Sequence, residues 1–174
     1  MVAAVLALAL AGCSGSSTPE KPAPATYELG PRQVRPDETA LKLPDATNGD
    51  TVFTLIGLTT GIGTIVGSHA EWPAKGQFVR IRVVVTSTGR SSVLFDARRQ
   101  QLIKADGGTV LPDEQAMLIK RQPDQFDLGP AVRVEFDLYY DIPKDAKPAA
   151  LRAFGGPTLT DMQNVNGTDI KLSQ

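Results

Sequence analysis

The sequence is poor in the residues that carry most enzyme chemistry. It holds one cysteine and one tryptophan, and its only histidine is His69. A single cysteine excludes an internal disulfide and every cysteine-rich zinc motif. Any Ser-His-Asp arrangement would have to use His69, and the Gly-x-Ser-x-Gly motif of α/β hydrolases is missing. We therefore expect no catalytic residue, no metal and no cofactor.

An excess of one charge and a membrane-spanning run are missing as well. Lys and Arg number 18 against 19 Asp and Glu, which gives a formal net charge of -1. No basic stripe interleaved with aromatic residues is present, so we expect no nucleic-acid partner. The longest apolar run, Val2 to Ala11, is too short to cross a bilayer as a helix but long enough for the hydrophobic region of a signal peptide.

That apolar run ends in Leu10-Ala11-Gly12-Cys13, which resembles the lipobox of bacterial lipoproteins. The resemblance implies that residues 1–12 are a signal peptide and that Cys13 carries a diacylglyceryl group. Two acyl chains give stable anchoring, so we expect the protein at the outer face of the cytoplasmic membrane. The Lys or Arg usual before the apolar run is missing, and we expect the true translation start to lie upstream.

The segment after the cysteine differs in composition from the rest of the chain. Six prolines and several small residues occur between Ser14 and Asn48, with no apolar periodicity. Such composition is typical of an extended linker. The sequence therefore predicts a flexible Pro-rich linker over residues 13–48 and one folded domain over residues 49–174.

The predicted domain has the pattern of an all-β fold. In Gln77–Thr86, Val79, Ile81, Val83 and Val85 alternate with residues that include Arg80 and Arg82; we expect the odd positions in the core and Arg82 exposed. Ala131–Tyr140 alternates likewise, with Val132 and Phe136 predicted inward and Glu135 and Asp137 outward. Further strands are predicted at 51–58, 64–66, 91–95, 101–105, 109–111, 149–154 and 168–172, with a helical turn at 113–120.

Many short strands separated by Gly and Pro turns favour an antiparallel sandwich over a parallel α/β sheet. We predict an immunoglobulin-like β-sandwich of seven or eight strands without an intersheet disulfide. We expect Phe136 and Val83 to be buried in its core. The charged residues of the two long strands could form a cross-strand ladder on a solvated face.

The run Lys75 to Gly89, with a Gly-x-Phe-Val strand start and a Ser-Thr-Gly turn, resembles an uncharacterised family of Gram-positive and actinobacterial extracellular lipoproteins. Leu128-Gly129 and Asp141-Ile142-Pro143 extend the resemblance. The family is similar to the mycobacterial secreted immunoprotective antigen, which implies a telokin-like, immunoglobulin-like fold. It implies a surface-located binding or scaffold module and no active site.

One segment, His69, Glu71 and Trp72, is the candidate binding loop. Tryptophan is enriched in binding hot spots, whereas a Trp72 that closes one end of the sandwich would be a core residue. Both readings stay open from the sequence. His69 with Glu71 or a methionine such as Met117 or Met162 is a weaker candidate for a metal site, because the spacing fits no standard pattern.

These features favour a membrane-anchored, non-enzymatic binding or interaction module of the cell envelope. Its partners would be the membrane, through the lipid on Cys13, and an unidentified envelope protein or ligand. The alternative is a carrier that delivers a small ligand or metal to an envelope complex. A hydrolase is the weakest alternative, since it would require His69 beside a serine and a carboxylate.

Overall fold

The computed structural model describes residues 33–158, 162, 164 and 166–172. The predicted signal peptide, Cys13 and residues 14–32 of the predicted linker lie outside the described residues. The strands of the described part are β1 Thr39–Ala40, β2 Ala46–Asn48, β3 Thr51–Val66, β4 Glu71–Ser87, β5 Val93–Asp96, β6 Gln101–Lys104, β7 Thr109–Val110, β8 Gln125–Leu128, β9 Arg133–Ile142, β10 Pro148–Ala153 and β11 Thr168–Lys171. The same part contains a short 3-10 helix, Ala97–Arg99, and a short α-helix, α1 Glu114–Ile119.

The strands form three antiparallel sheets around a common core. The first sheet has the order β1-β3-β4-β9, with β2 also on β3; the second has the order β11-β10-β6-β7; β5 and β8 pair separately. Leu138 of the first sheet, Leu151 of the second and Phe95 of β5 belong to one buried apolar cluster. The described part of the chain is thus an immunoglobulin-like antiparallel β-sandwich, as predicted, but with eleven strands instead of seven or eight.

The long hairpin of β3 and β4 is the largest difference from the predicted strands. Residues predicted as two strands, 51–58 and 64–66, form the single strand β3. Gly61 to Gly63, which lie between the two predicted strands, are at irregularities where the β3–β4 register shifts around Ile62. Glycine fits such a bulge because it readily adopts a positive φ, and Gly61 has φ of 76°. The hairpin therefore continues as far as Glu71 at the start of β4.

The alternation in β9 sets the core side of the first sheet. Val83 and Phe136 are buried, and both predictions are confirmed. Val132 was predicted inward but is 43% exposed, because β9 begins only at Arg133, after a turn in which the Val132 amide donates to the Gly129 carbonyl.

The domain begins earlier than the predicted boundary at residue 49. β1 and β2 both pair with β3, and Leu41 and Leu43 pack against the core. The prediction of a linker through Asn48 is therefore wrong for residues 33–48, since Arg35 and Glu38 also contact β9 and β4. Strand β8 was also missed, since its sequence, Gln-Phe-Asp-Leu, lies between polar, proline-containing segments.

Candidate functional site

The structure divides the predicted binding loop between a turn and a strand. His69 lies in the turn between β3 and β4, whereas Glu71 and Trp72 belong to β4, opposite Val66 and Ile65. The prediction that all three residues form a loop is thus wrong for Glu71 and Trp72. The Gly67 amide donates to the Ala70 carbonyl, which closes a tight turn and leaves the following residues free to pair.

Trp72 combines the two roles that the sequence left open. Its side chain is half-buried and packs against the apolar core. It also lines an open groove of about 870 Å³ at this end of the sandwich, which lies within the usual volume range of ligand sites. His69 and Glu71 do not line this groove. Of the predicted binding residues, Trp72 alone is brought into a concave site.

Two further parts of the chain form the apolar lining of the groove. The segment before α1 contributes Leu111 and Pro112, and the end of β9 contributes Ile142 and Pro143. Pro112 and Ile142 are buried, whereas Leu111 is 57% exposed. Apolar and aromatic side chains with a few polar groups are the usual lining of binding sites. Sequence analysis missed these residues because they are far from Trp72 along the chain.

Two lysines lie on the β4 and β9 side of the groove. At Gly76 the β4 backbone lies very close to the end of β9 and the residues after it. A Cβ atom on Gly76 would collide with the Ile142 carbonyl oxygen and lie 2.9 Å from the backbone nitrogen of Lys144. This close approach brings Lys75 and Lys144 together at the groove. Asp141 fixes the same corner by accepting the Lys75 amide at 2.8 Å and the Gly76 amide at 3.2 Å.

The first turn of α1 also lines the groove. The Asp113 carboxylate caps the helix by accepting the Ala116 amide at 2.8 Å, a common role for aspartate at this position. The Asp113 amide in turn donates to the Tyr139 carbonyl of β9 at 2.8 Å, so the start of the helix is held beside the sheet. Glu114 follows as an exposed acidic residue that lines the groove. The lining therefore carries two lysines, Lys75 and Lys144, and three carboxylates, those of Asp113, Glu114 and Asp141.

The outer face of β4 and β9 is the other charged region, and it is covered. Residues 33–38, here called the N-terminal strap, lie against it, and Glu38 accepts from Arg80 at 3.2 Å and Arg82 at 3.4 Å. Arg82 was predicted to be exposed, but its side chain is only 14% exposed and also pairs with Glu135. The prediction of an exposed Arg82 is wrong because a segment assigned to the linker covers it.

The strap reaches β9 through a second contact. Arg35 Nη1 lies 2.7 Å from Asp137 Oδ2, and Asp137 is buried although it was predicted outward. Arg80 also binds Asp37 at 2.9 Å, and this hydrogen bond lowers the pKa of the Asp37 carboxyl. The charges of this face thus bind one another, whereas in the described part neither Lys75 nor Lys144 at the groove forms an ion pair.

The described residues offer no catalytic or metal-binding arrangement around His69. Its side chain makes no hydrogen bond or ion pair within residues 33–158, 162, 164 and 166–172. In the same part of the chain no three His, Cys, Asp or Glu side chains lie close enough to hold a metal ion. None of the helices described is long and apolar enough to span a membrane.

Solved structures that are similar to this chain come from three bacteria. The yjhA protein of Bacillus subtilis is 16% identical, with a TM-score of 0.53 over 75% of this chain and 97% of that chain. MPT63, a secreted protein of Mycobacterium tuberculosis, is 20% identical, with a TM-score of 0.42 over 66% of this chain and 86% of that one. A functionally unknown protein of Listeria monocytogenes is 10% identical, with a TM-score of 0.46 over 79% and 87% of the two chains.

No curated protein matches the chain. A family model does match: it covers residues 45–163 and is described as a domain of unknown function, DUF4352. The matched region includes both long strands of the first sheet and every residue of the Trp72 groove. The family carries no enzymatic description. The chain therefore belongs to the DUF4352 family.

Proposed function

We propose that this protein is a lipid-anchored, extracytoplasmic, non-enzymatic binding module of the cell envelope, and that the groove beside Trp72 is its contact surface. The observation that carries the proposal is the convergence of Trp72, Leu111, Pro112 and two lysines on one open concavity. Aromatic anchors surrounded by polar groups are typical of protein-binding sites.

The distribution of exposed apolar side chains supports the same end of the domain. Leu111 is 57% exposed at the groove, and Leu118 of α1 is 70% exposed. Pro112 and Glu114 line both the Trp72 groove and a second, smaller concavity that contains Leu118. Exposed apolar groups beside such concavities favour contact with another molecule.

The contact surface is tested by capture of envelope proteins from intact cells. Leu111→Asp changes an exposed groove residue, and Leu94→Asp is the matched control, since Leu94 is 43% exposed on β5 and does not line the groove. We expect Leu111→Asp to abolish capture of a specific partner and Leu94→Asp to retain it. Equal capture by both variants, or no specific partner of the wild-type protein, would reject the proposal.

The lipid anchor is tested separately at Cys13. The Leu-Ala-Gly-Cys sequence at residues 10–13 supports cleavage before the cysteine and acylation of its thiol. Cys13→Ala should leave the precursor uncleaved and without metabolic label from a fatty-acid analogue. A processed Cys13→Ala protein that stays in the membrane fraction would show that Cys13 is not the anchor.

A further inference from the structure

We infer that Asn166 is a site of spontaneous deamidation in the folded protein, whereas Asn48, which is also followed by a glycine, is protected by the fold. The inference is independent of the proposed function. The chain has three asparagines, and two of them, Asn48 and Asn166, precede a glycine. Glycine has no side chain to shield its own amide nitrogen and leaves the backbone wide conformational freedom. In an Asn-Gly pair that nitrogen therefore reaches the asparagine side chain more easily than in other pairs.

The reaction needs only water as a co-reactant. The backbone nitrogen of Gly167 gives its proton to hydroxide and attacks Cγ of Asn166. The new N–Cγ bond closes a succinimide ring, the Cγ–Nδ2 bond breaks, and the amide group takes a proton from water and leaves as ammonia. Water then opens the ring at either carbonyl. Opening at the former side-chain carbonyl gives aspartate, and opening at the former main-chain carbonyl gives isoaspartate, whose main chain runs through Cβ.

The atoms of this reaction are accessible at Asn166. The residue is exposed and lies with Gly167 in an irregular segment, since the β10–β11 ladder begins only at Thr168. Its main-chain carbonyl accepts the Asn48 side-chain amide at 2.8 Å. Within residues 33–158, 162, 164 and 166–172, neither the Asn166 side chain nor the Gly167 amide forms a hydrogen bond. The carboxamide of Asn166 can therefore rotate toward the Gly167 nitrogen.

The carboxamide of Asn48 is instead held at both of its polar atoms. It forms four hydrogen bonds: Nδ2 donates to the Asn166 carbonyl at 2.8 Å and the Thr168 hydroxyl at 3.1 Å, and Oδ1 accepts the Gly155 amide at 2.7 Å and the Asn164 side-chain amide at 3.2 Å. Rotation of this group toward the Gly49 nitrogen would break these bonds. An aspartate at position 48 would also place a carboxylate oxygen against the Asn166 carbonyl. The fold therefore opposes both the reaction and its product at Asn48.

Deamidation would change the charge of one surface concavity. Asn166 and Gly167 line it together with Gln101, Arg152, Phe154 and Asp169. Arg152 already binds the Asp169 carboxylate, at 2.6 Å and 2.9 Å. A carboxylate at residue 166 therefore takes the formal charge of this lining from zero to one negative charge.

The inference is tested on the purified full chain, incubated in mildly alkaline buffer and sampled over days by peptide mapping with mass spectrometry. We expect the mass difference between an amide and a carboxylate to accumulate at Asn166. Conversion of Asn48 should be at least about tenfold slower, since breaking even two hydrogen bonds before the transition state lowers a rate by about this factor. Asn164 is an internal control that should keep its amide, because it precedes the β-branched Val165.

The same incubation in urea separates the effect of the fold from that of the sequence. In the unfolded chain the hydrogen bonds of Asn48 are lost, so we expect Asn48 and Asn166 to convert at similar rates. If Asn166 keeps its amide in the folded protein, or if Asn48 converts there as fast as Asn166, the inference is wrong. An Asn48 that is equally slow in urea would show that the fold does not protect it.

Asn166→Gln is the matched variant for the chemistry. Glutamine keeps an exposed carboxamide at this position, but its side chain is one carbon longer, so attack by the next amide would have to close a larger ring. On isoelectric focusing, we expect the aged wild-type protein to accumulate a more acidic form and the Asn166→Gln variant to accumulate none. Equal amounts of the acidic form in both proteins would overturn the assignment to Asn166.

Discussion

The N-terminal strap offers the sharpest test of the fold, through Glu38. Its side chain is fully buried, at 0% exposure, and its carboxylate accepts from Arg80, Arg82 and the Arg35 amide, the last at 2.9 Å. Gly57 provides the space, since a Cβ there would lie 2.9 Å from Glu38 Oε2. Glu38→Ala removes this acceptor and leaves the guanidinium groups against the sheet.

The size of the effect follows from what the arginines retain. Breaking a buried ion pair by removing one partner costs about 3 to 5 kcal/mol. Arg82 keeps Glu135 and Arg80 keeps Asp37, so we expect Glu38→Ala to lower the free energy of unfolding by about 2 to 4 kcal/mol. In urea this corresponds to a midpoint lower by about 1 to 2 M.

Asp37→Asn is the control for this experiment. Asp37 binds the same Arg80, but its side chain is 56% exposed. We therefore expect Asp37→Asn to lower the free energy of unfolding by less than about 1 kcal/mol. Urea unfolding followed by far-ultraviolet circular dichroism compares the two variants with wild type. If Glu38→Ala loses no more stability than Asp37→Asn, the strap is not held by the buried carboxylate.

Three further predictions concern the core, the groove and alkaline pH. The Gln100 side chain is buried and forms hydrogen bonds with the Phe154 amide and carbonyl. Gln100→Met keeps its volume but removes both bonds, so we expect the free energy of unfolding in urea to fall by about 2 to 4 kcal/mol. An unchanged free energy of unfolding would contradict this. Gly76→Ala should lower the free energy of unfolding by about 1 to 3 kcal/mol, because the added Cβ collides with the Ile142 backbone. An unchanged thermal stability would count against that contact. Burial raises the pKa of Tyr139 to about 12 and that of Tyr140 well above its usual value. Because the folded protein keeps phenol protons that the unfolded chain releases, the free energy of unfolding should fall as the pH rises above about 10. If both phenols titrate near pH 10 in an ultraviolet titration of the folded protein, this prediction is wrong.

The sequence predicted the parts of the fold that depend on local alternation. Val83 and Phe136 are buried as expected, because every second residue of an antiparallel strand faces the core. Asp137 was placed outward by the same rule, and it does lie on the other face from Phe136. That face is buried by the strap, whose contacts are ion pairs with residues far along the chain. No local periodicity reports such contacts, so the strap was assigned to the linker.

The candidate site shows the same limit. Tryptophan's frequency in binding sites was enough to select Trp72, but not to place it on a strand. Its pairing opposite Ile65 depends on the bulged β3–β4 hairpin. Lys144 could not be found from the sequence, because its approach to Lys75 depends on the contact at Gly76. Side chains that meet only through tertiary packing need the structure.

Site-specific photocrosslinking in living cells tests whether the Trp72 groove is the contact surface. A photoreactive amino acid replaces Leu111 in the groove, or Leu94 as the exposed control outside it. If the groove is the contact surface, the probe at residue 111 will crosslink to a specific envelope protein and the probe at residue 94 will not. Crosslinks of equal yield at both positions, or none at residue 111, would contradict the account.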